Sequence, residues 1–246
     1  MTRGIGILML ATLVLAGCDE PKTPVDVLIL LDGSKSISES ERNSTFDTTR
    51  HLLRSLPNRS RYAVYILDGE LGRMLDSGTR LVDNQYELAG YEAKIKQFRK
   101  KLPQQVAQWM REDQTRGNRT CVLKTLLATG RYFQAHGVAD RRVVFVLSDM
   151  LEDCDYRGKR VEFCSLPGGS FSGRLKSLSP SPTLKTIEVY GILPVRSTAN
   201  RGCSPDFDTV SATWSTANQI LNFRALSIHY FANLPEDFLS RTGTTQ

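Results

Sequence analysis

An aspartate and two serines at alternate positions follow the first long apolar run of the chain, in Asp32-Gly33-Ser34-Lys35-Ser36. Side chains two residues apart in extended backbone lie on one face, so the carboxylate and the two hydroxyls can converge on one point. All three offer hard oxygen donors, which suit Mg²⁺, Mn²⁺ or Ca²⁺ better than zinc or copper. The segment therefore predicts an oxygen-ligated metal site, although a strand that ends in Asp-Gly-Ser is also a common turn.

Two later segments add oxygen donors of the same kind. The apolar run 142–147 ends in Ser148 and Asp149, and the loop 117–120 ends in Thr120 and opens a helical pattern. Because the carboxyl ends of parallel strands meet in one crevice of an α/β sheet, Thr120 and Asp149 are predicted to surround a single point together with Asp32 and the two serines. The predicted metal ligands are Asp32, Ser34, Ser36, Thr120 and Asp149. The alternative is that the two aspartates only cap helix N-termini or loop amides.

Strand-like and helix-like segments alternate along the chain, as a scaffold for such a site requires. The strand-like runs lie at 25–31, 61–67, 142–147, 186–193 and 226–231, with a weaker edge strand within 73–82. One helical pattern begins after the capping-box sequence Ser38 to Glu41, and another follows Thr120. Further helical patterns cover 84–113, with a division at Pro103, and lie at 206–221 and 235–241. The pattern predicts one α/β domain over 25–246, with a doubly wound, mostly parallel sheet covered by helices on both faces.

On these residues the chain resembles the von Willebrand factor A domain, whose metal-ion-dependent adhesion site is built from Asp-x-Ser-x-Ser, a distant Thr and a distant Asp. The resemblance extends from Val25 to about Leu239. It implies that the three hydroxyl residues bind Mg²⁺ or Mn²⁺ and that the two aspartates bind it directly or through waters. It also implies that one coordination position is left for a carboxylate of a partner protein.

Two positions depart from the family's pattern. Met150 stands where a Gly usually follows the last Asp, and Asn118-Arg119 stands where Gly-Gly usually precedes the Thr. Arg119 beside the site would repel a cation or recruit an acidic partner.

The first 17 residues have the form of an export signal. A short basic start precedes an apolar stretch that is too short to span a bilayer, and Leu15-Ala16-Gly17-Cys18 resembles the lipobox of bacterial lipoproteins. That resemblance implies lipidation of Cys18, a tether over 18–24 and a membrane-anchored domain that faces the periplasm. Asp19 directly after the lipidated Cys resembles the signal for retention in the inner membrane. An uncleaved anchor or a buried strand is the alternative.

Four cysteines follow the lipobox, an even number that predicts two disulfides in an exported chain. Sequence leaves three pairings open. Since all four are expected at the carboxyl-end rim of the sheet, we favour Cys154 with Cys164 and Cys121 with Cys203. A zinc site is the weaker interpretation, because the chain has no Cys-x-x-Cys pair.

The segment 150–182 is polar, rich in Gly, Pro and Ser, and leaves the sheet at the predicted metal site. A long connection without clear secondary structure is usually functional or disordered, so we expect a loop insertion on the metal face that contacts a partner. The candidate contact residues are Arg119, Tyr156, Arg157, Lys159, Arg160 and Phe163. The formal net charge of +6 is spread thinly and without interleaved aromatics, so no nucleic-acid partner is expected.

These features favour a binding protein over an enzyme. The first hypothesis is a membrane-tethered adaptor that holds a protein partner through a metal-bridged Asp or Glu carboxylate. The alternatives are an Mg²⁺-dependent hydrolase or phosphoryl-transfer enzyme, and a structural lipoprotein of the same fold that needs no metal. No Ser-His-Asp order, P-loop or His-rich cluster is present in the sequence, so no catalytic residue is predicted.

Overall fold

The computed structural model describes residues 23–34, 37–112, 120–156, 159–163, 175, 182–194 and 206–231. The strands in these ranges are β1 (Val25–Leu31), β2 (Arg61–Ile66), β3 (Met74–Thr79), β4 (Arg141–Leu147), β5 (Asp153–Tyr156), β6 (Lys159–Glu162), β7 (Ile187–Leu193) and β8 (Ala225–Tyr230). The α-helices are α1 (Glu39–Ser55), α2 (Gln85–Glu112), α3 (Val122–His136) and α4 (Phe207–Leu221), and a 3₁₀ turn covers Pro182–Thr186.

Six strands form one sheet in the order β3-β2-β1-β4-β7-β8, and every neighbouring pair is parallel except β2 with β3. This confirms the predicted doubly wound, mostly parallel sheet. Strand β1 is buried at all seven positions, because a parallel strand in the middle of such a sheet has helices on both faces. The remaining two strands, β5 and β6, form a separate antiparallel hairpin.

Two hydrophobic cores lie on opposite faces of the sheet. On one face Leu28 and Leu30 of β1 pack with residues of α3 and α4. On the other face Val27 and Ile29 pack with residues of α1 and α2. The alternating side chains of β1 therefore contribute to both cores. A shift of its register by one residue would move each set of side chains to the opposite core.

Two expectations about local structure are wrong. Pro103 does not divide the second helix, because α2 runs unbroken from Gln85 to Glu112. Its apolar stripe continues on both sides of the proline, with Phe98 and Leu102 before it and Val106 after it, all buried, and this packing outweighs the lost backbone hydrogen bond. The segment 150–182 is also not without structure, since β5 and β6 form a hairpin within it. Within the described ranges, no helix is long and apolar enough to cross a membrane.

The amino ends of β1 and β2 are joined by a half-buried ion pair. The guanidinium of Arg61 donates from Nε and Nη2 to the two carboxylate oxygens of Asp26, at 2.8 and 3.0 Å. The backbone N–H groups of Val138 and Ala139 donate to the same carboxylate. Burial alone would raise the pKa of Asp26, but these hydrogen bonds outweigh it and hold the pKa below its ordinary value.

The lowered pKa of Asp26 predicts a pH-dependent contribution to stability. A carboxyl group with a depressed folded-state pKa stabilises the fold above its unfolded pKa, and this contribution is lost as the pH falls through the folded-state pKa. Asp26→Asn should therefore lower the free energy of unfolding at pH 7 by about 1–3 kcal/mol, and the deficit should shrink below about pH 4. Urea denaturation at a series of pH values measures it. Glu92→Gln, which breaks an exposed ion pair with Arg54, should show little deficit at any pH. A deficit for Asp26→Asn that does not change with pH would contradict the assignment.

Candidate metal site

The carboxyl ends of β1 and β4 lie side by side and fix the first predicted ligand. Leu31 is paired with Leu147, and the N–H of Asp32 donates to the carbonyl of Leu147 at 3.0 Å. The carboxylate of Asp32 accepts from the Ser148 hydroxyl at 2.7 Å and from the N–H of Ser34 at 2.8 Å. Asp32 is only 3% exposed, so these donors hold a buried carboxylate in one orientation at the edge of the sheet.

The loop after Asp32 is held by residues from both α1 and α2. The carbonyl of Ser34, itself buried, accepts from Arg42 Nη1 at 3.3 Å. The indole of Trp109 lies over Gly33, where an added Cβ would stand 2.6 Å from ring atom Cζ3. Ser38 then begins α1 with the predicted capping box, in which its hydroxyl accepts from the N–H of Glu41. The remaining predicted ligand of this loop, Ser36, lies outside the described residues.

Thr120 is placed by the segment that follows β4. Its carbonyl accepts from the N–H of Asp153 at 2.8 Å, and the buried carboxylate of Glu152 accepts from the N–H of Leu123 in the first turn of α3 at 2.8 Å. On the other side, the hydroxyl of Thr125 accepts from the N–H of Gly69, just after β2. The start of α3 is thus joined to the chain after β2 and to the chain after β4.

This arrangement brings the described members of the predicted set to one edge of the sheet. Strand β1 lies between β2 and β4, so the start of α3 lies over the carboxyl end of β1, where Asp32 is. Thr120 is 4% exposed and directly precedes Cys121, the N-cap residue of that helix. Asp149 follows β4 and is partly exposed, and its carboxylate accepts from the N–H of Leu151 at 3.1 Å.

Met150, which follows Asp149, has a left-handed backbone with φ of 59°. L-residues with a long side chain rarely adopt this conformation. Its N–H donates to the Ser148 hydroxyl, and its carbonyl accepts from the indole N–H of Trp214 at 3.0 Å. The side chain is fully buried. These contacts hold the turn that directs Asp149.

The predicted disulfide pairing is wrong. Cys121 is bonded to Cys154, with a Cα–Cα distance of 4.9 Å. The hydrogen bond from Asp153 to Thr120 places the two cysteines opposite each other, and sequence spacing does not reveal that contact. The other cysteines, Cys164 and Cys203, lie outside the described residues. The bond joins the helix beside Thr120 to the hairpin after Asp149, and a closed loop of this size typically stabilises a fold by about 2–4 kcal/mol.

The predicted partner-contact residues fall into three groups. Tyr156, Lys159 and Arg160 lie on the β5–β6 hairpin. Phe163 is partly buried and packs against the core of α3 and α4, so at least part of its ring serves the fold. Arg119 and Arg157 lie outside the described residues, as does the proposed lipidation site Cys18.

Sequence reasoning missed the residues that support the site. Ser148, Glu152, Trp109 and Trp214 contact the site's backbone or carboxylate, yet none was predicted to take part. Of these four residues, only Ser148 could have been found from the sequence, because it follows the same apolar run as Asp149.

The donor set fits a hard divalent cation. Asp32, Ser34, Thr120 and Asp149 offer carboxylate and hydroxyl oxygens and no sulfur or imidazole, which is the ligand chemistry of Mg²⁺ and Mn²⁺. Among the described residues, no three His, Cys, Asp or Glu side chains come together as a metal cluster. An ion at this edge would therefore require the Ser and Thr hydroxyls.

Comparison with known proteins gives a structural relative only. No protein-family model matches the sequence, and no curated protein matches it. Among solved structures, the chain is similar to a von Willebrand factor type A protein from Catenulispora acidiphila, with a TM-score of 0.46 and 11% sequence identity. The similarity covers 88% of this chain and 41% of that one, so the chain spans less than half the length of that protein.

The contact between Gly33 and Trp109 predicts a site-specific effect of one methyl group. Gly33→Ala must displace a rigid indole, so it should lower the free energy of unfolding by about 1–3 kcal/mol. Gly90→Ala is the matched control, because an added Cβ there meets nothing within 4 Å and α2 gains a better helix former. That variant should be more stable than wild type by about 0.5–1 kcal/mol. Chemical denaturation of both variants measures the difference, and equal stabilities would mean that Trp109 does not cover Gly33.

Proposed function

We propose that this chain is a von Willebrand factor A-type binding domain that holds Mg²⁺ or Mn²⁺ at Asp32, Ser34, Ser36, Thr120 and Asp149. The observation that carries the proposal is the fixed, buried carboxylate of Asp32 at the edge where α3 begins. A doubly wound sheet places its binding sites at this edge. The same order of oxygen residues defines the adhesion site that the sequence resembles.

In this proposal the hydroxyl residues bind the cation and the aspartates balance its charge, directly or through water. A carboxylate from a protein partner completes the coordination. Such a bridge gives directional, chelator-sensitive affinity without a large apolar patch. The protein acts as an adaptor, and no covalent chemistry is assigned to it.

Basic side chains around the edge support an acidic partner. Arg42 contacts the carbonyl of Ser34, and Lys124 lies in the first turn of α3, where it pairs with Glu70. The candidate contact residues Arg119, Arg157, Lys159 and Arg160 would extend this basic rim. A positive rim accelerates encounter with an acidic surface, and Tyr156 and Phe163 would add contact area beside it.

The metal site predicts a loss of binding in Asp32→Asn. This substitution keeps the shape of the side chain but removes one negative charge, so Mg²⁺ and Mn²⁺ affinity should fall at least tenfold while the fold is retained. Titration calorimetry with each metal measures the affinity. Asp47→Asn, which removes a surface carboxylate paired with Arg99, is the matched control and should bind as wild type does.

A pull-down from detergent-solubilised cells extends the test to the partner. Capture should be lost in EDTA, return with Mg²⁺ and fail in Asp32→Asn. Capture that survives both the chelator and the substitution would instead favour a metal-independent structural lipoprotein. Turnover of a phosphoester or peptide library would favour the enzyme.

We also propose that Cys18 carries a lipid that tethers the domain to the inner membrane on its periplasmic side. The support is the basic start, the short apolar stretch and the lipobox-like Leu15-Ala16-Gly17-Cys18.

Lipidation predicts that radiolabelled palmitate is incorporated into the wild type and absent from Cys18→Ser. Cys18→Ser lacks the acyl chains that would hold the domain at the membrane, so this variant should also leave the membrane fraction. Labelled Cys18→Ser would contradict lipidation at this position. Recovery of the labelled wild type in the outer membrane would overturn only the inner-membrane assignment.

A further inference from the structure

A second concave site lies toward the amino ends of the strands, away from the candidate metal site. It is a groove of about 390 Å³, a volume within the range of small-molecule sites. Its floor comes from β2 and β3 and its wall from α3. Asp26 and Arg61, at the amino ends of their strands, line it, whereas the metal site lies at the carboxyl ends. We call it the amino-end groove.

The groove combines an apolar body with a polar rim. Tyr65 and Tyr132 meet edge to face with ring centroids 5.8 Å apart, and Phe133 and Met74 line the same space. Met74 is 53% exposed, so its side chain is available to a ligand in the groove. Hydroxyls of the edge strand β3 complete the rim, from Ser77 and Thr79.

The guanidinium of Arg61 is the charged hydrogen-bond donor that lines the groove. Arg61 uses Nε and Nη2 on Asp26, and Nη2 also donates to the carbonyl of His136. Its Nη1 has no hydrogen-bond partner in the described part of the chain, and 37% of the side chain is exposed. The carboxylate of Asp26 already accepts four hydrogen bonds from Arg61, Val138 and Ala139, three at Oδ2 and one at Oδ1. The groove therefore offers a guanidinium donor beside a carboxylate that is already paired.

The two phenols add further donors. Burial raises the pKa of Tyr132 to about 12 and raises the pKa of Tyr65, so both hydroxyls stay protonated at neutral pH. Neither hydroxyl has a hydrogen-bond partner among the described residues. Tyr132 and Arg61 line the same groove, so the phenol and the guanidinium are both available to a ligand there.

We propose that the amino-end groove is a binding site for a small amphipathic monocarboxylate. The carboxylate accepts from Arg61 Nη1 and the Tyr132 hydroxyl, and the apolar body packs on Tyr65, Phe133 and Met74. A guanidinium already paired with one carboxylate suits a single negative charge better than a phosphate dianion. A cationic ligand is disfavoured because the groove already holds the guanidinium of Arg61, and the carboxylate of Asp26 is paired with it.

Phenylacetate is the probe and phenylacetamide its neutral isostere, each titrated into full-length protein and followed by saturation-transfer NMR. Phenylacetate should bind in the millimolar range and the amide about tenfold more weakly, as expected for loss of a charge-assisted hydrogen bond. Tyr132→Phe keeps the ring and should weaken phenylacetate about tenfold. Ser77→Trp should fill the groove and abolish binding.

Tyr86→Phe is the control for the lost hydroxyl, because Tyr86 is 90% exposed at the start of α2 on the other face of the sheet. It should bind phenylacetate as wild type does. Equal binding of acid and amide, no binding of either, or unchanged binding in Tyr132→Phe would each overturn the proposal. These outcomes are independent of the metal site, since Asp32→Asn should leave phenylacetate binding unchanged.

Discussion

The candidate site depends on the register between β1 and β4. The pairing of Leu31 with Leu147 makes the two buried strands end at the same level, and only then can the Ser148 hydroxyl reach the carboxylate of Asp32. Because side chains alternate between the faces of a strand, a slip of one residue would move the core side chains of β1 to the opposite faces. The same slip would separate the Ser148 hydroxyl from the carboxylate of Asp32. The apolar alternation that selects this register for packing therefore also positions the carboxylates.

The second requirement is the placement of α3, which its own sequence does not secure. Cys121 at the N-cap makes no side-chain capping bond, so the first N–H groups of the helix need partners from elsewhere. The carboxylate of Glu152, 1% exposed, supplies one at Leu123, where the helix dipole also favours negative charge. The disulfide between Cys121 and Cys154 closes the same junction. Thr120 is thus positioned by the chain after β4.

The sequence was informative where a feature depends on neighbours along the chain. The apolar runs predicted the strands of the main sheet, and Ser38 with Glu41 predicted the start of α1. It was uninformative where distant segments meet. Nothing in the spacing of the cysteines indicates that Asp153 bonds to Thr120, and nothing around Pro103 indicates how strongly the stripe of α2 is buried. The strand ends that Asp32 and Asp149 follow were predictable because a strand end is local, whereas the contacts that hold these two residues are tertiary.

Met150 shows how a left-handed turn is maintained without a glycine. A left-handed conformation costs a non-glycine residue roughly 1–2 kcal/mol, which a glycine at this position would avoid. The side chain occupies the space over Gly191, where an added Cβ would lie 3.1 Å from Met150 Sδ and Cε. Burying a methionine contributes about 1.5–3 kcal/mol, and the bond from Trp214 adds to it. The turn that directs Asp149 is therefore maintained by core packing instead of by backbone freedom, so the geometry of the site is linked to the core beneath it.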